Sequence, residues 1–446
     1  MIQAYSVSRG GRQSKEVARR PVAEPVRPLR SPCAHCSARR PVAPQRAFRR
    51  ARHGVTGLQP PTYYRGGMNA WDICLTHDPV YGGIYRSVCN FARALEGRIL
   101  SFDDGRADRS RLHDERPTVR IASRPRLWNR GCHVVTPAMR AEADAQVAGA
   151  DLLVVHSLFR GHAPWAARWA RGQKRPYWSV AEGVLDPWAL RRHSLAKRLW
   201  LARYGREFFN GATTIFATAR EQRKAAPVLD GGRSVVIHWP VPLPGLGDRE
   251  AARAAFRAAH GIPESARVLL FVGRLHLMKR PVETVDAFLR ADVPNAHLVV
   301  VGMEEGVTRA ALEARVPAAA RGRVHVVGPL AGEGLAAAFQ ASDGFISLSH
   351  RENFGYSFAE ALAYGLPAIV SAGHDLAHEL VRPGGEFPCG WLLNGDAAER
   401  AVEAIREWAA VPLPRLAALG AAGRAWVGEE LAFERFRDRL RELATS

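Results

Sequence analysis

Two glutamates, Glu352 and Glu360, bracket an Asn353-Phe354-Gly355 turn in the stretch "SHRENFGYSFAEALAYGLP", at the mouth of a helix of small residues. A carboxylate accepts two hydrogen bonds at once, which suits it to vicinal sugar hydroxyls, and the turn adds backbone donors. Ser357 and Glu360 also form an S-x-x-E pattern, so helix capping is the plain alternative for Glu360. Glu352 stands outside the helix and has no such explanation. Upstream, "FVGRLHLMKRPVETVDAF" ends an apolar run at Gly273 and places Arg274 and Lys279 just before Pro281, a residue suited to a first helical position. A guanidinium grips two oxygens and an ammonium acts as a point charge. Together they can neutralise a diphosphate and the charge it gains as a leaving group. Their plain alternative is a solvated basic loop. In "HDPVYGGIYRSVCNFARAL", Gly82 and Gly83 precede a helix whose apolar face is Ile84, Val88, Phe91 and Leu95. Paired glycines there either bring backbone N–H groups to an anion at the helix start or simply make a tight turn.

These loops need a scaffold. From Met68 onward, short apolar runs alternate with helical patterns, the signature of parallel sheets covered on both faces. Strands are expected at residues 72–77, 98–103, 151–157, 175–180, 213–219 and 234–239, then at 267–273, 297–302, 323–328, 344–349 and 367–371. Between the two sets, residues 240–248, "PVPLPGLGD", read as a linker. The expected fold class is α/β, with two Rossmann-like, doubly wound parallel-sheet domains at residues 68–239 and 249–420 and a helical segment at 421–446. Ligands of such open sheets sit at the carboxyl ends of strands, where all three loops lie.

A chain of 446 residues has material for two cores. It holds no apolar run of the roughly eighteen residues that would span a bilayer. Its first twenty residues are polar and basic, without an apolar signal core. The net charge of +20 is unevenly spread: residues 1–67 carry 14 Lys and Arg against 2 acids, which is +12, and leave +8 for the rest. That stretch, rich in Arg, Pro and Ala, is expected to be disordered, with Met68 as the true start; the other reading is a basic arm for acidic lipid or nucleic acid. Six scattered cysteines, at 33, 36, 74, 89, 132 and 389, give no disulfide framework and fit a reducing cytoplasm. Cys33 and Cys36 form half of a zinc knuckle, with no second pair at the usual interval.

The segment "GRLHLMK", followed by "ENFGYSFAEALAYGLPAIVS", resembles the retaining GT-B glycosyltransferases of sequence family 4, whose mark is a Glu, seven residues, then a Glu. The "GGIYR" loop and "VAEGVLDPWALRRHSLAKRLW" are similar to the same group, particularly bacterial enzymes of capsule, exopolysaccharide and lipopolysaccharide assembly. The resemblance runs from about residue 70 to near the C-terminus. It implies a nucleotide-diphosphate sugar as co-substrate, held mainly by the second domain: Arg274 and Lys279 on the diphosphate, Glu360 on the ribose, and Glu352 with the Asn353, Phe354 and Gly355 backbone on the sugar. Gly82 and Gly83 would close on it from the first domain, and the last helix would cross back to that domain. No metal or other cofactor is expected. One departure stands out: relatives carry His-Gly before x-Leu-Asp-Pro-Trp, and this chain has Glu182-Gly183. A carboxylate there would stabilise a cationic sugar or orient the acceptor hydroxyl, and is carried as a catalytic candidate with Glu352, Arg274 and Lys279. His156 is the alternative catalytic group, or an internal structural histidine. Retention of configuration leaves front-face attack and a covalent intermediate both open.

The expected acceptor is a saccharide or lipid-linked saccharide. Residues 165–178 and 191–211 mix Trp and Phe with Arg and Lys, either as a surface for an anionic inner membrane or as amphipathic helices whose aromatics are core. The expected location is cytoplasmic, at the inner membrane face. Competing functions are a sugar-nucleotide epimerase or hydrolase of the same architecture and, resting on the basic tail, a nucleic-acid or membrane-binding protein. The globular part offers no nucleic-acid reader motif.

Overall fold

Apolar runs buried on both faces can satisfy their backbone only by pairing with one another, and here they do so in two all-parallel sheets. The computed structural model describes residues 67–79, 82–103, 116–123, 132–191, 194–247 and 249–446, all within the unit of residues 64–446. The first sheet contains β1 (Ala70–Cys74), β2 (Arg98–Asp103), β3 (Thr118–Ala122), β4 (Leu152–His156), β5 (Tyr177–Val180), β6 (Thr213–Phe216) and β7 (Ser234–Val236), in the order β3-β2-β1-β4-β5-β6-β7. The second contains β8 (Arg267–Val272), β9 (Ala296–Val301), β10 (Val324–Gly328), β11 (Gly344–Ser347), β12 (Ala368–Ser371) and β13 (Gly390–Leu393), in the order β10-β9-β8-β11-β12-β13. Each is a doubly wound, Rossmann-like sheet. Each reverses its winding once, between β1 and β4 and between β8 and β11, and such reversals leave a crevice at the strands' carboxyl ends.

Two strands, β3 and β13, were not expected from the sequence. Both are edge strands with mostly half-buried residues, and "TVRIA" carries Arg120 where a central strand would be apolar. The strand expected at 72–77 instead occupies Ala70–Cys74, so Thr76 and His77 lie beyond it. A second correction concerns capping. The helix α4 below starts after Gly355 in a left-handed conformation (φ 75°) with no side-chain cap, and Ser357 lies inside its first turn, so Glu360 does not form a capping box.

The helices that position the site are α1 (Gly83–Ala94), α2 (Ala219–Leu229), α3 (Pro281–Ala291) and α4 (Tyr356–Ala363), followed by α5 (Leu413–Glu430) and α6 (Phe433–Thr445). A Cβ on Gly420 would fall 1.9 Å from the Gly365 carbonyl, so only glycine lets α5 lie against the turn that ends α4. The chain then crosses back: Phe436 of α6 is buried against Phe91 of α1 and Trp239, with ring centroids 5.1 and 6.2 Å away. In the mixed aromatic segments, Trp165, Tyr177, Trp178, Trp200, Phe208 and Phe209 belong to the core, while Leu195 and Leu199 face outward. Cys74, Cys132 and Cys389 are free thiols. The expectations for the tail and for Cys33 and Cys36 lie outside the described residues.

The return of α6 generates a test. Phe436→Ala should cost about 3 kcal/mol, the usual loss for a truncated buried phenylalanine, in urea unfolding followed by tryptophan fluorescence. A loss below about 0.5 kcal/mol, within the scatter of surface substitutions, would mean that this helix is not docked on α1.

Candidate active site

At the reversal of the second sheet, the loops after β8 and β11 are stitched together by the His350 N–H, which donates to the Met278 carbonyl (2.9 Å). This brings the Lys279 ammonium onto the Glu352 carboxylate as an ion pair. The Glu352 backbone is fixed as well, its N–H donating to Gly373 and its carbonyl accepting from Asp375 (both 2.9 Å). Gly355 is obligatory, since a Cβ there would sit 2.9 Å from Glu352 Cγ and 3.1 Å from His374 Nδ1. Burial pushes the Glu352 carboxyl up, but the charge of Lys279, its hydrogen bond and the more distant Arg274 outweigh this and hold it below the usual carboxylate range. Beneath it, burial pulls His374 down to about 4, so this imidazole is neutral and hydrogen-bonds Ser347 through Nε2 (2.9 Å). Arg274 lies at the rim, more than half exposed and paired with Glu305. The Phe354 side chain is core, in edge contact with Tyr356, which leaves its backbone for any ligand.

From the first domain, Gly82 caps α1 at a positive φ of 55°, and Gly83 lies against the Tyr356 ring. One turn further, Arg86 forms an ion pair with Glu360 and sets its guanidinium 5.3 Å from the Tyr356 ring centre. The glycine loop therefore meets α4 across the cleft. Arg86 was not singled out from the sequence, although it sits within the quoted "GGIYR".

The third component is the turn after β5. Glu182 and Gly183 are both left-handed, at φ 52° and 76°. The Glu182 carboxylate accepts from Ser157 Oγ (2.8 Å) and His156 Nδ1 (3.3 Å), while His156 Nε2 donates to Asp72 Oδ1 (2.8 Å). The Gly183 N–H donates to the buried Glu221 carboxylate (2.7 Å), and its carbonyl accepts from Arg351 of the second domain (3.3 Å). Burial raises Glu221 to about 7, against the backbone donors that favour its charge. Asn353 packs on Gly183, 3.2 Å from where its Cβ would be, so the Glu182 turn and the Glu352 loop are neighbours.

A polar seam fixes the two domains beside this point. Lys224 of α2 bridges Asp375 (2.8 Å) and Asp186 (3.2 Å), Arg351 reaches Asp186 (3.3 Å), and the Ala219 N–H donates to Glu379 (2.7 Å). None of these was expected, because each partner lies more than 150 residues away or is a lone charge in a loop. The structure thus gathers Lys279, Glu352, Asn353 and Gly355 with Glu182 in one place and Gly82, Gly83 and Glu360 beside it, with Arg274 at the edge. Among the described residues, no group of three or more His, Cys, Asp or Glu is arranged to hold a metal ion, and no helix is long and apolar enough to cross a membrane.

Residues 252–426 match the family model described as "Glycosyl transferases group 1". D-inositol 3-phosphate glycosyltransferase of Mycolicibacterium gilvum is 35% identical over 151 residues, 32% of this chain and 32% of that protein; the chain therefore matches about a third of its relative's length. The fold is that of GT-B structures. Sucrose-phosphate synthase of Thermosynechococcus elongatus aligns over 84% of this chain and 98% of its own, with a TM-score of 0.66 at 20% identity. Anabaena Alr3699/HepE in complex with UDP-glucose aligns over 85% and 99%, with a TM-score of 0.66 at 17% identity.

Removing the cation from the Lys279–Glu352 pair has a signed pH consequence. The depressed Glu352 pKa stabilises the fold above the unfolded value of 4.5, and this is lost as pH falls through the folded value. In Lys279→Met the carboxylate is left without its partner, so its folded pKa rises and the penalty grows with pH. Both side chains are about a fifth exposed, so the difference from the native chain should be about 2 kcal/mol at pH 8, below the range for fully buried pairs, and should shrink toward pH 5. Urea titrations at the two pH values check this; equal losses would show that Glu352 does not depend on Lys279.

Proposed function

We propose that this protein is a retaining glycosyltransferase that moves a sugar from a nucleotide-diphosphate donor to a saccharide or lipid-linked saccharide in cell-surface polysaccharide assembly, at the inner face of the cytoplasmic membrane. The observation that carries the reading is the meeting, in one cleft, of Lys279 with Glu352 and of Glu360 with Arg86 from the opposite domain. Residues 252–426, which match the group 1 family, supply Lys279, Glu352 and Glu360.

In this scheme, Arg274 and Lys279 take the two phosphates and stabilise the charge that accumulates as the bond to the sugar carbon breaks. The scheme calls for no metal, because the two cations meet the diphosphate charge. Glu360 exchanges its contact with Arg86 for the ribose hydroxyls, and Glu352 with the backbone at Asn353, Phe354 and Gly355 holds the sugar. The α1 terminus at Gly82 and Gly83 closes over the phosphates. Glu182 stands on the acceptor side and faces the reacting carbon. Anomeric retention follows if the acceptor hydroxyl enters on the face that the diphosphate leaves, its proton passing to a departing phosphate oxygen. UDP-glucose is the first donor to test, since Alr3699/HepE is described in complex with it. A phosphorylated polyol is the alternative acceptor class, as the name of the inositol-phosphate relative suggests.

Thermal-shift titration with UDP-, GDP- and ADP-glucose tests the reading. A true donor at a hundred times its Kd should stabilise the fold by about 2.7 kcal/mol. Glu360→Ala and Lys279→Ala should each weaken the response at least tenfold. A response unchanged from the native chain in both variants, or absent for every donor, would refute the site. Full turnover of donor without acceptor would favour an epimerase or hydrolase.

A further inference from the structure

Asp72, His156 and Glu182 form a line through the centre of the first domain, of which the scheme above uses only the last member. Asp72 lies within β1 and His156 ends β4, the two strands that flank the reversal, and both side chains are fully buried. Polar side chains inside central strands are costly unless partnered, and these two partner each other across 84 residues of sequence. The ring's two nitrogens face carboxylate oxygens on opposite sides, at 2.8 and 3.3 Å. A nitrogen facing a carboxylate donates, so the ring carries both protons. Burial alone would pull His156 down, but the hydrogen bonds and charges of Asp72 and Glu182 raise it to about 9.

The surroundings hold little else that titrates. Cys74 on β1 is kept a thiol by burial. His162 of the helix His162–Gly172 hydrogen-bonds the His156 carbonyl and is pulled by burial to about 4. Phe91 of α1 presents its ring edge-on at 5.2 Å. Burial raises the Asp72 carboxyl, against the hydrogen bond and charge of His156 and the charge of Arg116. Ser157, itself at φ 61°, donates to the second Glu182 oxygen.

We propose that Asp72 and His156 are positioning residues that hold the Glu182 carboxylate toward the cleft, where it faces the positive charge developing on the sugar carbon without forming a bond to it. This rests on the glycosyl-transfer reading. Both Glu182 oxygens already accept a hydrogen bond from a fixed donor, which suits an electrostatic partner better than a nucleophile. The left-handed backbone of Glu182 is strained for a residue with a side chain, and the clamp below it together with Glu221 and Arg351 around Gly183 keeps the turn in place.

The test uses the full chain and the slow hydrolysis of UDP-glucose by water, read as UDP release, in which the sugar carbon develops the same positive charge as in transfer to an acceptor. His156→Gln should lower kcat about a hundredfold, the scale of a lost acid–base or electrostatic group, with KM for UDP-glucose and the thermal shift by UDP unchanged. In the native chain, kcat should fall as pH rises through about 9. In Asp72→Asn this limb should move to lower pH, because the ring loses a carboxylate neighbour. Side-chain ¹⁵N spectra of the native chain should show a histidine with both nitrogens protonated at pH 7.5. Full kcat in His156→Gln, a rise in KM alone, an unmoved limb in Asp72→Asn, or only neutral rings in the spectra would each overturn the proposal. A native chain that releases no nucleotide from UDP-, GDP- or ADP-glucose, yet shows the charged ring, would locate the failure in the glycosyl-transfer reading.

Discussion

A carboxylate taken out of water must be given a counter-charge or it will not stay ionised, and the second domain is arranged around this constraint at Glu352. Lys279 meets it from the next strand of the sheet. The pairing is possible because β8 and β11 are neighbours at the winding reversal, so the loops that leave them start side by side and then diverge. His350 to Met278 and Glu352 to Gly373 fix those loops to each other and to the loop after β12. The ion pair, the obligatory Gly355 and the start of α4 follow from that geometry. Glu360 then falls one turn along the same helix, on the side that faces the other domain.

The first domain solves the mirror problem. Its reversal lies between β1 and β4, and there the buried group is a cation flanked by acids: His156 between Asp72 and Glu182. Isolated buried charges are expensive, and a trio with alternating sign spreads that expense. The two solutions face each other, since Asn353 packs on Gly183 and Arg351 donates to its carbonyl. What divides the domains in sequence is therefore joined at the carboxyl ends of both sheets.

Most of the strand plan was legible because parallel strands buried on both faces write themselves as continuous apolar runs, as in "LLVVH" or "RVLLFV". The edge strands β3 and β13 were not, because half-exposed positions admit Thr, Arg and Gly and dilute the run. The S-x-x-E pattern misled for a different reason: Gly355 in a left-handed conformation starts the helix two residues before Ser357, leaving the serine no orphan N–H to cap. Lys279, Glu352 and Glu360 could be singled out because each lies in a loop at a strand end or on the helix that follows it. Asp72 could not, although a signal was present. An aspartate inside "AWDIC" and a histidine ending "LLVVH" are both out of place in central strands, and sheet order would have set them together.

The interdomain seam gives the Glu182 turn a property that neither domain has alone. Arg351 touches the Gly183 carbonyl, Asp186 and the face of Trp188 at once, and Lys224 ties Asp186 to Asp375, whose N–H holds the Glu352 carbonyl. The acidic loop of one domain and the strained turn of the other are thus linked through a short chain of charged contacts. Opening the cleft would break the Arg351 and Lys224 contacts together and leave the left-handed Glu182–Gly183 pair held from its own domain only, by His156, Ser157 and Glu221. Since a non-glycine residue keeps such a conformation only where its surroundings over-determine it, the contacts from the second domain are part of what fixes the turn.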